Sequence, residues 1–246
     1  MADEENNTNL SRRRFMKNSG YVAGGLVGGG LLGSLLGVNW DGSEQATITP
    51  SEETNFNRAL MYFTRQKDFK TLSAATERIF PEDENGPGAI ELGVPYFIDH
   101  QLAGSYGSND KEYMQGPFHT GTAYQGYQTP LKRHEIFMQG IRALDKESNN
   151  KHNSAFTDLE GEQQDKILQK FENDDVKLKG VKASEFFELL RTATLAGAYA
   201  DPLYGGNEDM AGWKMKEYPG SQMSYLNEIE NEDFIEMEPN ALTSHQ

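Results

Sequence analysis

The chain has no cysteine. That excludes disulfides, iron–sulfur clusters, thiol nucleophiles and the C-x-x-C-H attachment of a c-type haem. Basic side chains are scarce, with 23 Lys and Arg against 38 Asp and Glu and a formal net charge of −15. A surface of that sign repels phosphate backbones, so nucleic acid is not an expected partner. No G-x-S-x-G elbow occurs, and a Ser nucleophile has no specific support. The five histidines are His100, His119, His134, His152 and His245. None stands four residues from another on one helix, so a zincin-like pair is missing. Internal repeats and alternating apolar runs of useful length are also missing. The expected fold is mainly α: a single helical domain with long Gly- and Tyr-rich loops.

What is present begins near the N-terminus. Ser11 to Lys17 reads S-R-R-R-F-M-K, followed by an apolar, glycine-rich stretch from Tyr21 to Val38. Ser11, Arg12, Arg13, Phe15 and Lys17 fit a twin-arginine export signal, with Met16 where Leu is commoner. This receptor-read address sends a protein across the bacterial cytoplasmic membrane already folded. The glycines lower the hydrophobicity of the stretch and make it a poor spanning helix. No A-x-A cleavage site follows. The segment is either cut at an atypical site or kept as a tether, at the periplasm or the outer face of the membrane. Gly28, Gly30 and Gly33 spell G-x-G-x-x-G, but a dinucleotide site needs that pattern between a strand and a helix. Inside a signal segment it carries no such meaning.

Four divisions follow: a signal over 1–38, a polar linker over 39–55, a helical domain over 56–222 and an acidic tail over 223–246. Beyond the signal, about 208 residues remain, enough for one domain with a real core. Residues 1–38 carry Asp3, Glu4 and Glu5 against Arg12, Arg13, Arg14 and Lys17, so the exported part carries −16. Helical spacing predicts a helix over 64–79, with Thr64 as N-cap and Phe69, Leu72, Ala75, Thr76 and Ile79 inward. Pro81 stops it, and Pro81 to Gly88 is a turn-rich loop. A second helix is expected from Ile90 to Leu102, interrupted at Pro95, and a third from Leu131 to Lys146. A fourth should start at Thr157 or Asp158, with Thr157 and Glu160 as a capping box, and end near Phe171. The most apolar helix spans Ser184 to Ala200. Its Phe186, Phe187, Leu189, Leu190, Leu195 and Tyr199 imply more than one buried face, and Asp201-Pro202 ends it. The tail from Glu228 to Glu238 reads as disordered.

Two loops attract a functional reading. Glu82, Asp83, Glu84 and Asn85 resemble a metal site in composition. Calcium takes about six to eight oxygens at defined offsets, and Gly86-Pro87-Gly88 follows at once, so a solvated turn is the better reading. The run Asp201-Pro202-Leu203-Tyr204-Gly205-Gly206-Asn207 continues through Gly212-Trp213-Lys214 to Tyr218-Pro219-Gly220. Its aromatics either anchor a protein interface or fold back onto the domain's own helices. Residues 104–130 form a further Gly-, Tyr- and Gln-rich stretch whose length without periodicity suggests a functional or interfacial role.

At these residues the chain resembles the gluconate 2-dehydrogenase subunit 3 family. The likeness covers Glu77-Arg78-Ile79-Phe80-Pro81, Gly86-Pro87-Gly88-Ala89, Ile98-Asp99 with Gln101-Leu102, and Gly116-Pro117-Phe118. It continues through Gln125-Gly126-Tyr127-Gln128, Pro130-Leu131, Phe186-Phe187 and the D-P-x-Y-G-G-N run to Pro219-Gly220, and stops by Ser221. It implies a non-catalytic accessory subunit. In that family a large flavoprotein carries FAD and oxidises an alcohol or lactol carbon of a sugar or sugar acid. A cytochrome c subunit, with haem c, often takes the electrons onward. The small subunit looks like an escort that lends the folded flavoprotein its export address. The implied partners are therefore that flavoprotein, the cytochrome c subunit and the twin-arginine translocase, with no cofactor in this chain. Tyr127, Tyr204, Asn207, Trp213 and Tyr218 are the candidate interface residues; catalytic and metal-ligating residues are not expected. Two other classes are a stand-alone envelope binding protein and a metal-dependent enzyme using the acidic loop 82–85.

Overall fold

Among the described residues, apolar side chains recurring at three- and four-residue spacing become six α-helices around one core. The computed structural model describes residues 58 to 245 except 120, 123 and 126, within a unit running from Asn55 to Gln246. The export motif Ser11, Arg12, Arg13, Phe15 and Lys17, the linker 39–55 and Gly126 lie outside the described residues. The helices are α1 (Gln66–Ile79), α2 (Val94–Ala103), α3 (Arg133–His152), α4 (Gly161–Glu172), α5 (Ala183–Tyr199) and the short α6 (Ala211–Lys214). Among the described residues there is no β-strand, and no helix is long and apolar enough to cross a membrane.

Helix α5 is the centre of the bundle, packing against each of α1 to α4. Phe186, Leu190, Ala193, Thr194, Gly197 and Ala198 form its buried face. Leu195, expected inward, is exposed, so the helix has one dominant buried face rather than two. Phe186 meets Phe137 of α3 edge-on at 6.0 Å and Phe171 of α4 at 5.7 Å. Three helices are thereby locked through one ring, each aromatic pair adding about 0.5–1.5 kcal/mol beyond its buried area. Gly140 of α3 lies directly against the Phe186 ring, where a Cβ would overlap it.

Element existence follows the apolar spacing, while element ends were decided by local hydrogen bonds. The cap of α1 is Arg65 and not Thr64, and no side chain caps it. Asp68 in its first turn supplies the negative charge that the helix N-terminus favours. Pro95 does not interrupt α2; it sits in its first turn, where its missing N–H costs nothing. Residues 90 to 93 are a turn instead. Helix α3 starts later than Leu131 and runs on to His152, ending at Asn153 in the left-handed region (φ 51°). The expected Thr157–Glu160 box is replaced by Glu160 with Gln163. The reason is Phe156, which is fully buried. Its N–H donates to Asp145 Oδ1 (3.2 Å), and its carbonyl accepts from Gln164 Nε2 (2.8 Å). That anchoring holds Phe156–Asp158 as a separate 3₁₀ turn.

Truncating the central ring should be costly. Phe186→Ala is expected to remove about 3–5 kcal/mol of stability, read as a lowered urea midpoint with little change in slope.

Candidate partner-binding surface

The carbonyl end of α5 shapes the surface of interest. A helix leaves its last carbonyls without intrahelical partners, and burial makes unpaired ones costly. The loop after α5 supplies partners for two of them. Trp213 Nε1 donates to the Tyr199 carbonyl (2.9 Å), and Asn207 Nδ2 donates to the Ala200 carbonyl (2.8 Å). The Asn207 Oδ1 also accepts from the Gly212 N–H (2.7 Å). Asn207 itself sits in the left-handed region (φ 49°), which Asn tolerates better than most residues. Gly206 and Gly212 pass so close to the Gly197 and Ala198 carbonyls that a Cβ at either would clash with backbone.

Asp201 extends the arrangement to the end of the chain. Its Oδ1 accepts from the Leu203 N–H (3.0 Å) and its Oδ2 from the Leu242 N–H (2.9 Å). Two other acids of the same pattern work alike. Asp99, fully buried, accepts from the N–H groups of Met61 (2.5 Å), Tyr62 (3.1 Å) and Phe63 (2.8 Å). Glu77 accepts from the N–H of Glu82 (3.2 Å) and of Ile90 (2.8 Å), and a Cβ on Gly88 would run into its carboxylate. Glu77, Asp99, Asp201 and Asn207 are thus tied to backbone donors inside the fold and hold loops in place.

The candidate interface residues divide accordingly. Asn207 and Trp213 are 0% and 5% exposed; both support the loop through hydrogen bonds, and the Trp213 ring also lines the groove beside Tyr218. Tyr204 and Tyr218 are 52% and 49% exposed. Tyr218 stacks edge-on against Trp213 at 5.4 Å, which holds its ring in place beside an open groove of about 530 Å³. Leu203 and Leu242 are exposed on turns that pack together, so the patch reaches from Tyr204 to the chain end. Exposed aromatics on a fixed backbone are the residue types that anchor protein interfaces.

Tyr127 lies elsewhere. It lines a groove of about 650 Å³ with the N-cap and first turns of α5, including Lys182, Glu185 and Leu189. The seventeen residues of α5 span about 25 Å, so this groove and the Tyr218 groove occupy opposite ends of one helix. The half-buried Tyr127 phenol donates to the Leu131 carbonyl, and burial pushes its pKa up, keeping it a neutral donor. Arg133, which spacing did not single out, anchors this loop region. Its guanidinium lies 4.7 Å from the Tyr106 ring and 5.1 Å from the Tyr127 ring, and bonds Glu112 Oε1 at 2.6 Å.

The acidic loop 82–85 is a turn closed on itself. Asp83 accepts from the Asn85 N–H (2.8 Å) and Nδ2 (3.0 Å), which hold its carboxyl below the usual range. Among the described residues no group of three His, Asp or Glu side chains is spaced to hold a metal ion.

The family model "Gluconate 2-dehydrogenase subunit 3" matches residues 66–220. The chain belongs to the gluconate 2-dehydrogenase subunit 3 family. Membership makes it an accessory subunit of a dehydrogenase complex, associated with a larger subunit. The matched span runs from the first turn of α1 to Gly220 and so contains α1 to α6 and the cap of α5. Comparisons with curated proteins and with solved structures each found no match.

The inward and outward residues should separate in a stability assay. Asn207→Ala leaves the Gly212 N–H without an acceptor and the Ala200 carbonyl without a donor, a loss of about 2–5 kcal/mol. Tyr204→Ala should change stability by no more than about 0.5 kcal/mol. Thermal unfolding of the two variants side by side checks both.

Proposed function

We propose that this chain is the escort subunit of an exported, flavin-dependent dehydrogenase acting on a sugar or sugar acid. It binds the folded large subunit, which carries FAD, and lends it the twin-arginine address at Ser11 to Lys17. The complex then resides in the periplasm or on the outer face of the cytoplasmic membrane. A cytochrome c subunit with haem c takes the electrons onward. The observation that carries this reading is the family match over residues 66–220. Two features support it. The signature residues Glu77, Asp99, Asp201 and Asn207 are engaged with backbone groups, a structural use of polar side chains. The aromatics Tyr204 and Tyr218 are left outside on a loop held fixed by those contacts.

The division of labour is physical. The large subunit folds around FAD before export, and a twin-arginine signal suits a cargo that is already folded. A partner without its own signal then depends on tight binding to this chain.

Replacing Arg12 and Arg13 together by Lys should leave this chain and its flavoprotein partner in the cytoplasm. Cell fractionation with flavin fluorescence reads both. Export of the flavoprotein at its usual level in that strain contradicts the escort role. Tyr204→Ala with Tyr218→Ala should weaken recovery of the flavoprotein with a tagged chain by about tenfold or more, with the melting temperature lowered only by the few degrees that losing the Tyr218–Trp213 contact costs.

A further inference from the structure

The segment after Gly220 behaves as a pinned loop rather than a free tail. Gly220 and Asn240 form a bridge; the Ser221 N–H donates to the Asn240 carbonyl (2.7 Å) and the Asn240 N–H to the Pro219 carbonyl (3.1 Å). Ala241 is buried, and the Leu242 N–H reaches Asp201. Residues 222–239 therefore leave and re-enter the domain at one point, beside the cap of α5.

The loop shows apolar side chains to solvent. Leu226, Ile229 and Phe234 are 79%, 75% and 90% exposed. Around Tyr225 the backbone makes a single turn, with the Glu228 and Ile229 N–H groups donating to the Tyr225 carbonyl at 3.1 and 2.9 Å. Leu226 and Ile229 stand three residues apart on that turn, so they lie on one side of it. Interleaved with them are Glu228, Glu230, Glu232, Asp233, Glu236 and Glu238, and no Lys or Arg occurs between Ser221 and Gln246.

We propose that residues 222–239 form a docking arm for the larger dehydrogenase subunit. Leu226, Ile229 and Phe234 enter apolar pockets on that subunit, and Lys or Arg side chains around those pockets meet the carboxylates. The proposal rests on the subunit reading given above. Charge selects the occupant. A second copy of this chain carries the same excess of negative charge and repels the arm, and an anionic lipid surface repels it too. A basic-rimmed protein face attracts it and speeds encounter. Position agrees, since the arm springs from beside Leu203, Tyr204 and Leu242 and extends that exposed patch. It also lies beyond the family match at residue 220, where a contact tuned to one particular partner belongs.

The test is calorimetric titration of the full chain into the FAD-loaded large subunit of the same organism. A Leu226→Ala, Ile229→Ala, Phe234→Ala variant should bind about tenfold more weakly or worse. Its melting temperature should match the parent, because the replaced side chains are exposed. A Glu228→Gln, Glu230→Gln, Glu232→Gln, Asp233→Asn variant should bind more weakly at low salt and show a flatter salt dependence. Parent-like binding by both variants overturns the arm and leaves the subunit reading standing. Failure of the unaltered chain to bind the large subunit overturns the subunit reading, and the arm with it. Self-association of the chain alone that the triple alanine variant abolishes, seen by sedimentation, assigns the arm to a second copy and overturns the proposal.

Discussion

The unpaired carbonyls at the end of α5 are the constraint on which the rest of the molecule depends. Helix α5 touches every other long helix, so its end lies within the fold and its terminal carbonyls need protein donors. Trp213 and Asn207 provide them from a loop that turns back over the helix. The turn is possible only because Gly206 and Gly212 lack a Cβ where they pass the Gly197 and Ala198 carbonyls. The most specific sequence feature of the domain is therefore a helix cap built from a long loop. It places Tyr204 and Tyr218 outside by tying Asn207 and Trp213 inside.

The same device recurs in the rest of the domain. Asp99 gathers residues 61 to 63, Glu77 gathers the loop from 82 to 90, and Asp201 gathers the chain end. In each, one carboxylate accepts from two or three backbone N–H groups, bonds to a charged acceptor being worth about 1.5–3 kcal/mol each. A chain without cysteine has no covalent staples for its long loops. Carboxylate clamps substitute for them and use the residue type this acidic chain has in excess. Rigid loops in turn reduce the ordering cost of binding a partner.

Much of this was legible in the sequence. The inward positions of α1 and the course of α5 follow from apolar spacing, because a period of three to four residues leaves few other solutions. Helix starts were less legible. Thr157 looks like a cap until Phe156 is found buried and bonded to Asp145 and Gln164 from other helices. Asn207 and Trp213 stood out by composition, but whether an aromatic in a glycine-rich loop points in or out depends on carbonyls brought there by tertiary packing. The acidic tail has the composition of a disordered segment. Its final turn docks nonetheless, through the Asn240 and Leu242 backbone, and main-chain hydrogen bonds of that kind leave no mark on side-chain pattern. Arg133 between Tyr106 and Tyr127 was invisible for a similar reason: its partners are distant in sequence.

A rigid cap at one end of α5, carrying the surface proposed to bind the partner, has a direct signature in backbone amide exchange. Hydrogen–deuterium exchange of the chain should be compared alone and bound to the large dehydrogenase subunit. The account predicts that the Gly212 amide, bonded to Asn207, is equally slow in the free and bound chain, whereas amides around Tyr204, Tyr218 and the 222–239 loop slow further on binding. Rapid exchange at Gly212 in the free chain, or protection confined to the Tyr127 end of α5 in the complex, would contradict it.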